Sequence, residues 1–174
     1  AEATLIRDIQ VDEENSYQIE GGRECKVSGI VRLERLGRKK DTFVVDLKIL
    51  PSNQLRDGQE LSFFVSSAKP AFHYIYSYQD DLEEAQLIFP NEYDKDNQFV
   101  GERRIPSEAS KDKWYIDASL PEGLPYALEH LLMISAQRDL GAMPRSLRIG
   151  QLREMIARTD AGYLSLTRSF YEIQ

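Results

Sequence analysis

Cysteine and histidine are almost missing from this chain. Its 174 residues hold one cysteine, Cys25, and two histidines, His73 and His130. A lone thiol makes no internal disulfide and excludes zinc sites built from several thiolates. Within Glu24-Cys25-Lys26-Val27-Ser28 it reads as a half-buried strand residue. The two histidines lack the His-x-x-x-His or His/Cys spacing of zinc chemistry. No Gly-x-Ser-x-Gly elbow accompanies them, so a hydrolase triad has no visible nucleophile. His73, set among Phe72, Tyr74, Ile75 and Tyr76, reads as a satisfied strand histidine. No glycine-rich phosphate loop follows a strand, since Gly21-Gly22 sits between Glu20 and Arg23 with no Lys-Ser/Thr after it. These gaps lead to an expectation of no enzyme activity, no cofactor and no metal.

Long apolar runs are missing too. No stretch approaches the roughly 18 apolar residues of a membrane span, charged residues make up 29%, and mean hydropathy is −0.48. Basic residues are outnumbered, 22 to 29, for a net charge of −7. That balance argues against broad binding of nucleic acid, which needs clustered Lys and Arg. The longest basic run, Arg38-Lys39-Lys40, is followed by Asp41 and reads as an edge solubiliser. The chain opens Ala1-Glu2-Ala3 with no Met and no targeting segment. Such an opening fits a mature protein after signal cleavage and a shortened chain equally well.

What is present suits a β-rich globular domain. Hydrophobic residues at 41%, with nine Tyr and seven Phe, can fill a core and favour strands. Alternation marks strands at 27–33 and 42–50, joined as a hairpin by the polar stretch 34–41. Residues 54–58 read as a polar turn. Further strands are expected at 61–66, 72–78, 85–89 and 114–119, the first two divided by Ala68-Lys69-Pro70. Residues 124–137 fit a helix face and a strand alternation equally well. A helix is expected over 145–158, with Ser146 as its cap and Leu152, Met155 and Ile156 as its apolar stripe. A closing strand follows at 163–173.

Charge is unevenly distributed. Residues 78–108 carry nine acids against three bases, a local −6, while 138–174 carry six Arg against four acids, a local +2. Two solvated faces would produce this pattern, and so would an Arg-bearing tail that docks on the acidic middle or on an acidic partner. Asn91, Asp94, Asp96 and Asn97 offer hard oxygens of the kind calcium takes. An EF-hand starting at Asp94 fails, with Phe99 at its sixth position and Ile105 at its twelfth, and an acidic solvated turn is the simpler reading.

The order of features from Gln54 onward resembles a bacterial family, the domain of unknown function 4384. The likeness is carried by Arg56-Asp57-Gly58-Gln59-Glu60-Leu61-Ser62-Phe63 and by the aromatic strand Phe72-His73-Tyr74-Ile75-Tyr76-Ser77-Tyr78. It continues through Leu87-Ile88-Phe89-Pro90-Asn91, Asp96-Asn97-Gln98-Phe99, Gly101, Arg104-Ile105-Pro106 and Leu120-Pro121-Glu122-Gly123. It covers about residues 54–139. The resemblance implies a β-rich module of bacterial envelope and secreted proteins, with no assigned catalytic residues. It also implies that 129–136 is a strand.

The expected fold is therefore mainly β, an antiparallel β-sandwich-like domain with one C-terminal α-helix. It would be one domain over 1–174: an N-terminal hairpin layer (1–53), a family-like core (54–139), and a helix with closing strand (140–174). The expected role is a non-enzymatic protein-interaction or assembly module of a periplasmic or secreted protein, with protein partners. The alternative is a carbohydrate- or peptidoglycan-binding module. Tyr74, Tyr76 and Tyr78 recur at period two and share one strand face. If that face is outward they stack on sugars or anchor a partner, and if inward they are core. Trp114, beside Tyr115, poses the same question. Arg148, Arg153 and Arg158 are the candidate residues for an acidic partner.

Overall fold

The computed structural model describes residues 4–19, 22–35, 44–79, 84–159 and 163–174. The chain divides into two compact units, Ala1–Lys40 and Asp41–Gln174. The first holds β1 (Thr4–Ile19) and β2 (Gly22–Arg35), antiparallel from Thr4↔Arg35 to Ile19↔Gly22. The ladder shifts register between Ile6 and Asp8 and again between Val11 and Glu13. The strand expected at 27–33 thus exists inside β2, but its partner is β1 rather than the 42–50 segment. Only two residues separate Ile19 from Gly22 in the sequence, and closing so short a connection costs less entropy than closing the longer 34–41 stretch.

The second unit is organised by one strand. After β3 (Val45–Leu50) and β4 (Gln54–Leu55) comes β5 (Glu60–Gln79), twenty residues long. Then follow β6 (Glu84–Phe89), β7 (Gln98–Ile105), β8 (Ile116–Asp117), β9 (Ala127–Ala136), β10 (Ser146–Arg148), α1 (Ile149–Arg158) and β11 (Leu164–Ile173). On one edge the first half of β5 pairs with β3 (Leu47↔Val65) and its second half with β9 (Met133↔Ile75). It also pairs with β7 over Phe63–Phe72, with β6 near Tyr76, and with β8 at Glu60 and Leu61. Two strands expected at 61–66 and 72–78 are thereby one. Ala68-Lys69-Pro70 is a bulge, lying in the register shift between Ser67 and Ala71. Proline has no N–H for a ladder, and a bulge is where that loss does least harm.

The chain is mainly β, with one helix among the described residues. Hydrogen bonding joins nine strands of the second unit into one curled sheet. The sheet is mixed rather than purely antiparallel, because β11 runs parallel to β4 at Glu172↔Gln54 and Ile173↔Leu55. The expected polar turn at 54–58 starts with this short strand, and Leu55 is buried there. The turn itself follows, with Gly58 at φ 73° donating its N–H to Ala118 O. Residues 129–136 form a strand, as the resemblance implied. Their periodicity was ambiguous for a physical reason: Leu131 through Ala136 are buried on both faces, so apolar residues run continuously instead of alternating.

Two apolar clusters lie on the two faces of β5 and β9. Ile75, Leu131 and Met133 pack with Val45, Leu47 and Ile49 of β3, Ile105 of β7, and Tyr171 and Ile173 of β11. Tyr74, Tyr76, Leu132, Ile134 and Ala136 face the other way, against Leu152 and Ile156 of α1. The expected apolar stripe of the helix is therefore real, but the helix begins at Ile149. Ser146 is not its cap. The Ser146 hydroxyl instead bonds to Glu84 (3.1 Å) and Gln86 (3.1 Å), and Leu87 N–H donates to Arg145 O (2.8 Å), so this stretch extends the sheet as β10 on β6. At the helix start, Gln151 Oε1 accepts the Arg148 N–H at 3.2 Å.

These contacts make β11 the element that closes the sheet between β9 and β4. A chain of residues 41–174 is expected to melt in one cooperative transition. The same chain ending at 159 loses Tyr171 and Ile173 from the core and opens the β9 edge. Thermal melting followed by circular dichroism should then show no cooperative step.

Candidate binding surface

The loop between β6 and β7 is built around a buried carboxylate. Asp94 accepts from Arg103 Nη2 (2.5 Å), from Ser107 N–H (2.9 Å) and from the Ser110 hydroxyl (3.0 Å). Its own N–H and that of Tyr93 donate to Asn91 Oδ1, both at 2.9 Å, and Asn91 Nδ2 donates to Ile88 O. The Arg103 guanidinium lies over the rings of Phe89 (5.7 Å) and Phe99 (5.3 Å) and reaches Asp96 as well. Burying a charge is costly unless it is paired and hydrogen-bonded, and here it is both. Of the oxygens considered for calcium at 91–97, Asn91 Oδ1 and both Asp94 carboxylate oxygens are thus already engaged. Among the described residues no group of three or more His, Cys, Asp and Glu could hold a metal ion.

His73 sits in the core beside this loop. Its Nδ1 is 2.8 Å from the Ser135 hydroxyl, its ring is 4.2 Å from that of Phe99, and both His73 and Ser135 are fully buried. Its backbone N–H donates to Asn97 O, and Asn97 Nδ2 donates to His73 O. Burial pushes the imidazole down from 6.5 to about 4, with the Arg103 charge adding to the effect. A serine–histidine pair is present, then, but it is sealed from solvent.

The tyrosine row divides in two. Tyr74 and Tyr76 are buried under α1 and the segment that leads to it. The Tyr74 hydroxyl donates to Asp139 Oδ1 (2.8 Å) and accepts the Leu140 N–H (3.2 Å), while the Tyr76 hydroxyl donates to Pro144 O (2.9 Å). Burial raises both phenols, Tyr76 to about 12, and the bond from Tyr74 holds the Asp139 carboxyl low. These two rings are anchors for residues 139–144. Trp114 also turns inward, against the core cluster that contains Phe63 and Ile105, while Tyr115 is 65% exposed.

Tyr78 differs. It pairs with His130 across β5 and β9, and His130 pairs with Phe170 across β9 and β11, so the three share one face in a row. This is the same face that α1 covers at Leu132 and Ile134. The Tyr78 and His130 rings stack at 5.1 Å with 15° between their planes. Rings lying edge to edge in one plane would collide at that distance, so the two stack in parallel with an offset. Phe170 is 53% exposed. Arg168, opposite Leu132 in the next row of that face, is exposed too. Sequence reading placed Tyr78 in a tyrosine row and passed over Phe170. Its signal was alternation in the closing strand, where Phe170 falls out of phase with buried Tyr171 and Ile173.

Arg148, Arg153 and Arg158 are all exposed. Arg148 ends β10 opposite Glu84, and Arg158 lies 3.5 Å from Glu154 within the helix. Five positions apart, Arg153 and Arg158 point about 140° from one another around the helix. Residues 146–148 of the tail meet 84–86 of the acidic middle through the β10–β6 ladder and the Ser146–Glu84 bond, contacts of backbone and a hydroxyl rather than of Arg side chains.

Fold and surface together define a mainly-β module with one covering helix and an aromatic row beyond it. Residues 54–135 match the family model described as Domain of unknown function (DUF4384), so the family likeness read from the sequence holds over that stretch. The match spans β4 through β9, while β3, β10, α1 and β11 lie outside it. No curated protein and no solved structure matches the chain.

Two measurements test the buried polar groups. Asp94→Ala removes the buried partner of Arg103 and leaves it only the exposed Asp96, and urea unfolding should show a loss of about 3 kcal/mol. His73 binds a proton less readily folded than unfolded, so between pH 6.5 and about 4 the unfolded chain takes up a proton the folded one refuses. Stability should fall with pH across that window by up to about 1.4 kcal/mol per unit. Urea midpoints for His73→Gln should vary less steeply there than those of the unaltered chain.

Proposed function

We propose that this chain is a non-enzymatic protein-interaction module that serves assembly in a bacterial envelope or secreted protein. The observation that carries the reading is the row Phe170–His130–Tyr78, which continues the core face past α1 and ends in a half-exposed phenylalanine. Arg168 lies one row away on that face. Protein interfaces concentrate aromatic residues and arginine at their centres, where burial on contact yields most of the binding energy. Exposed Arg148, Arg153 and Arg158 add positive charge that would steer an acidic partner. The envelope setting rests on the family resemblance.

Affinity capture from a bacterial envelope extract, followed by quantitative mass spectrometry, tests the reading. A specific partner should be enriched by the unaltered chain and reduced about tenfold by Phe170→Ala, as expected for an interface aromatic worth about 1.4 kcal/mol. Reversal of Arg148, Arg153 and Arg158 to Glu should lower capture further at low salt. Capture indifferent to both variants, or binding to a glycan array in place of any protein, would overturn it.

A further inference from the structure

The β1–β2 hairpin is a two-stranded ribbon, and such a ribbon has no second layer of its own to cover a face. Its register nevertheless gathers apolar residues on one side. The pairs Ile6↔Leu33, Ile9↔Val31, Val11↔Gly29, Glu14↔Val27 and Ser16↔Cys25 share one face. The pairs Leu5↔Glu34, Asp8↔Arg32, Gln10↔Ile30, Glu13↔Ser28 and Asn15↔Lys26 share the other. Ile6 and Ile9, three positions apart, would fall on opposite faces of a regular strand. The shift between Ile6 and Asp8 brings them to the same one, and the shift at Val11/Glu13 does the same for Val11 and Glu14.

The two strands also differ in charge. β1 carries one Arg against four acids, a net −3, and β2 carries four bases against two acids, a net +2. Among the described residues each strand is paired along one edge only, which leaves an outer edge of 14 to 16 residues on each. Among the described strands of the other unit, those with an open edge are ten residues long or shorter. An edge of matching length is found on another hairpin of the same kind.

We infer that the hairpin is a self-assembly element, in which the outer edge of β1 in one copy pairs with the outer edge of β2 in a second copy. Charge selects this arrangement. Pairing β1 with β1 would set acids against acids, and pairing β2 with β2 would set bases against bases. Both are unfavourable across a ladder, whereas β1 with β2 is favourable. The contact is heterologous, so it repeats from copy to copy until the ring closes. The inference stands apart from the aromatic row, which lies in the other unit.

Sedimentation velocity of the full 174-residue chain tests it. The mass should rise with concentration to a defined oligomer. Reversing β1 (Asp12→Lys, Glu13→Lys, Glu14→Lys) should weaken association about tenfold or more, as should reversing β2 (Lys26→Glu, Arg32→Glu, Arg35→Glu). Either change also sets like charges across the hairpin itself, so the chain with both reversals is the decisive variant. Its strands are complementary again, and its self-association should return. Mixed with the unaltered chain, it should sort into separate oligomers, because acidic β1 would then meet acidic β2. A chain that stays monomeric, a double reversal that does not associate, or indiscriminate co-assembly of the two forms would overturn the inference. Partner capture through Phe170 should be unchanged in the double reversal, which keeps the two readings separable.

Discussion

Twenty consecutive residues of β5 run through the middle of the second unit, and their buried backbone groups must find partners there. Five strands meet that demand: β3 and β9 on one edge, with β6, β7 and β8 completing the pairing. The change of partner falls at 68–71, where Pro70 has no N–H to offer and the three residues before Ala71 are exposed. Because the two halves of β5 belong to different ladders, β3, β7, β9 and β11 all line one apolar cluster. The opposite face of the same strand is left for α1.

Buried polar groups then hold the connections to that frame. Asp94 and Arg103 tie 91–110 to the sheet, with the guanidinium spread over Phe89 and Phe99. The Tyr74 and Tyr76 hydroxyls hold residues 139–144, and so set where β10 and α1 begin. His73 Nδ1 and the Ser135 hydroxyl bond to one another across β5 and β9. Each is a directional contact in a low-dielectric place, where a missing partner costs more than the bond itself contributes. The polar residues that suggested chemistry in the sequence are, for the most part, holding the scaffold. The candidate residues that do reach the surface are aromatic and basic: Phe170, Arg168 and the arginines of β10 and α1.

The two proposed contact surfaces are of different sorts. The second unit presents side chains on a rigid sheet, where pairing across three strands fixes the spacing of the row from Tyr78 to Phe170. The hairpin unit presents backbone, two long edges with opposite charge balance. Side-chain surfaces select a partner by shape and chemistry, and strand edges select by length, register and charge.

Much of this was written into the order of residues. Period-two alternation marked β3 and β11, the Phe89-Pro90-Asn91 turn marked the end of β6, and Leu152, Met155 and Ile156 marked the helix. The family-like segment was legible because its turns carry Gly, Pro and Asn at fixed places. Long-range pairing was not legible. Alternation tells which residues share a face and says nothing of which strand lies beside which. Hence the hairpin partner of β2, the continuity of β5 through Pro70, and the strand at 146–148 were all decided by contacts distant in sequence. The candidate surface divides the same way. Sequence determined that Tyr74, Tyr76 and Tyr78 point one way, since a strand alternates strictly. Only tertiary packing decided that α1 covers the first two and that Tyr78 joins His130 and Phe170 in a row, because burial depends on what the rest of the chain lays over a face.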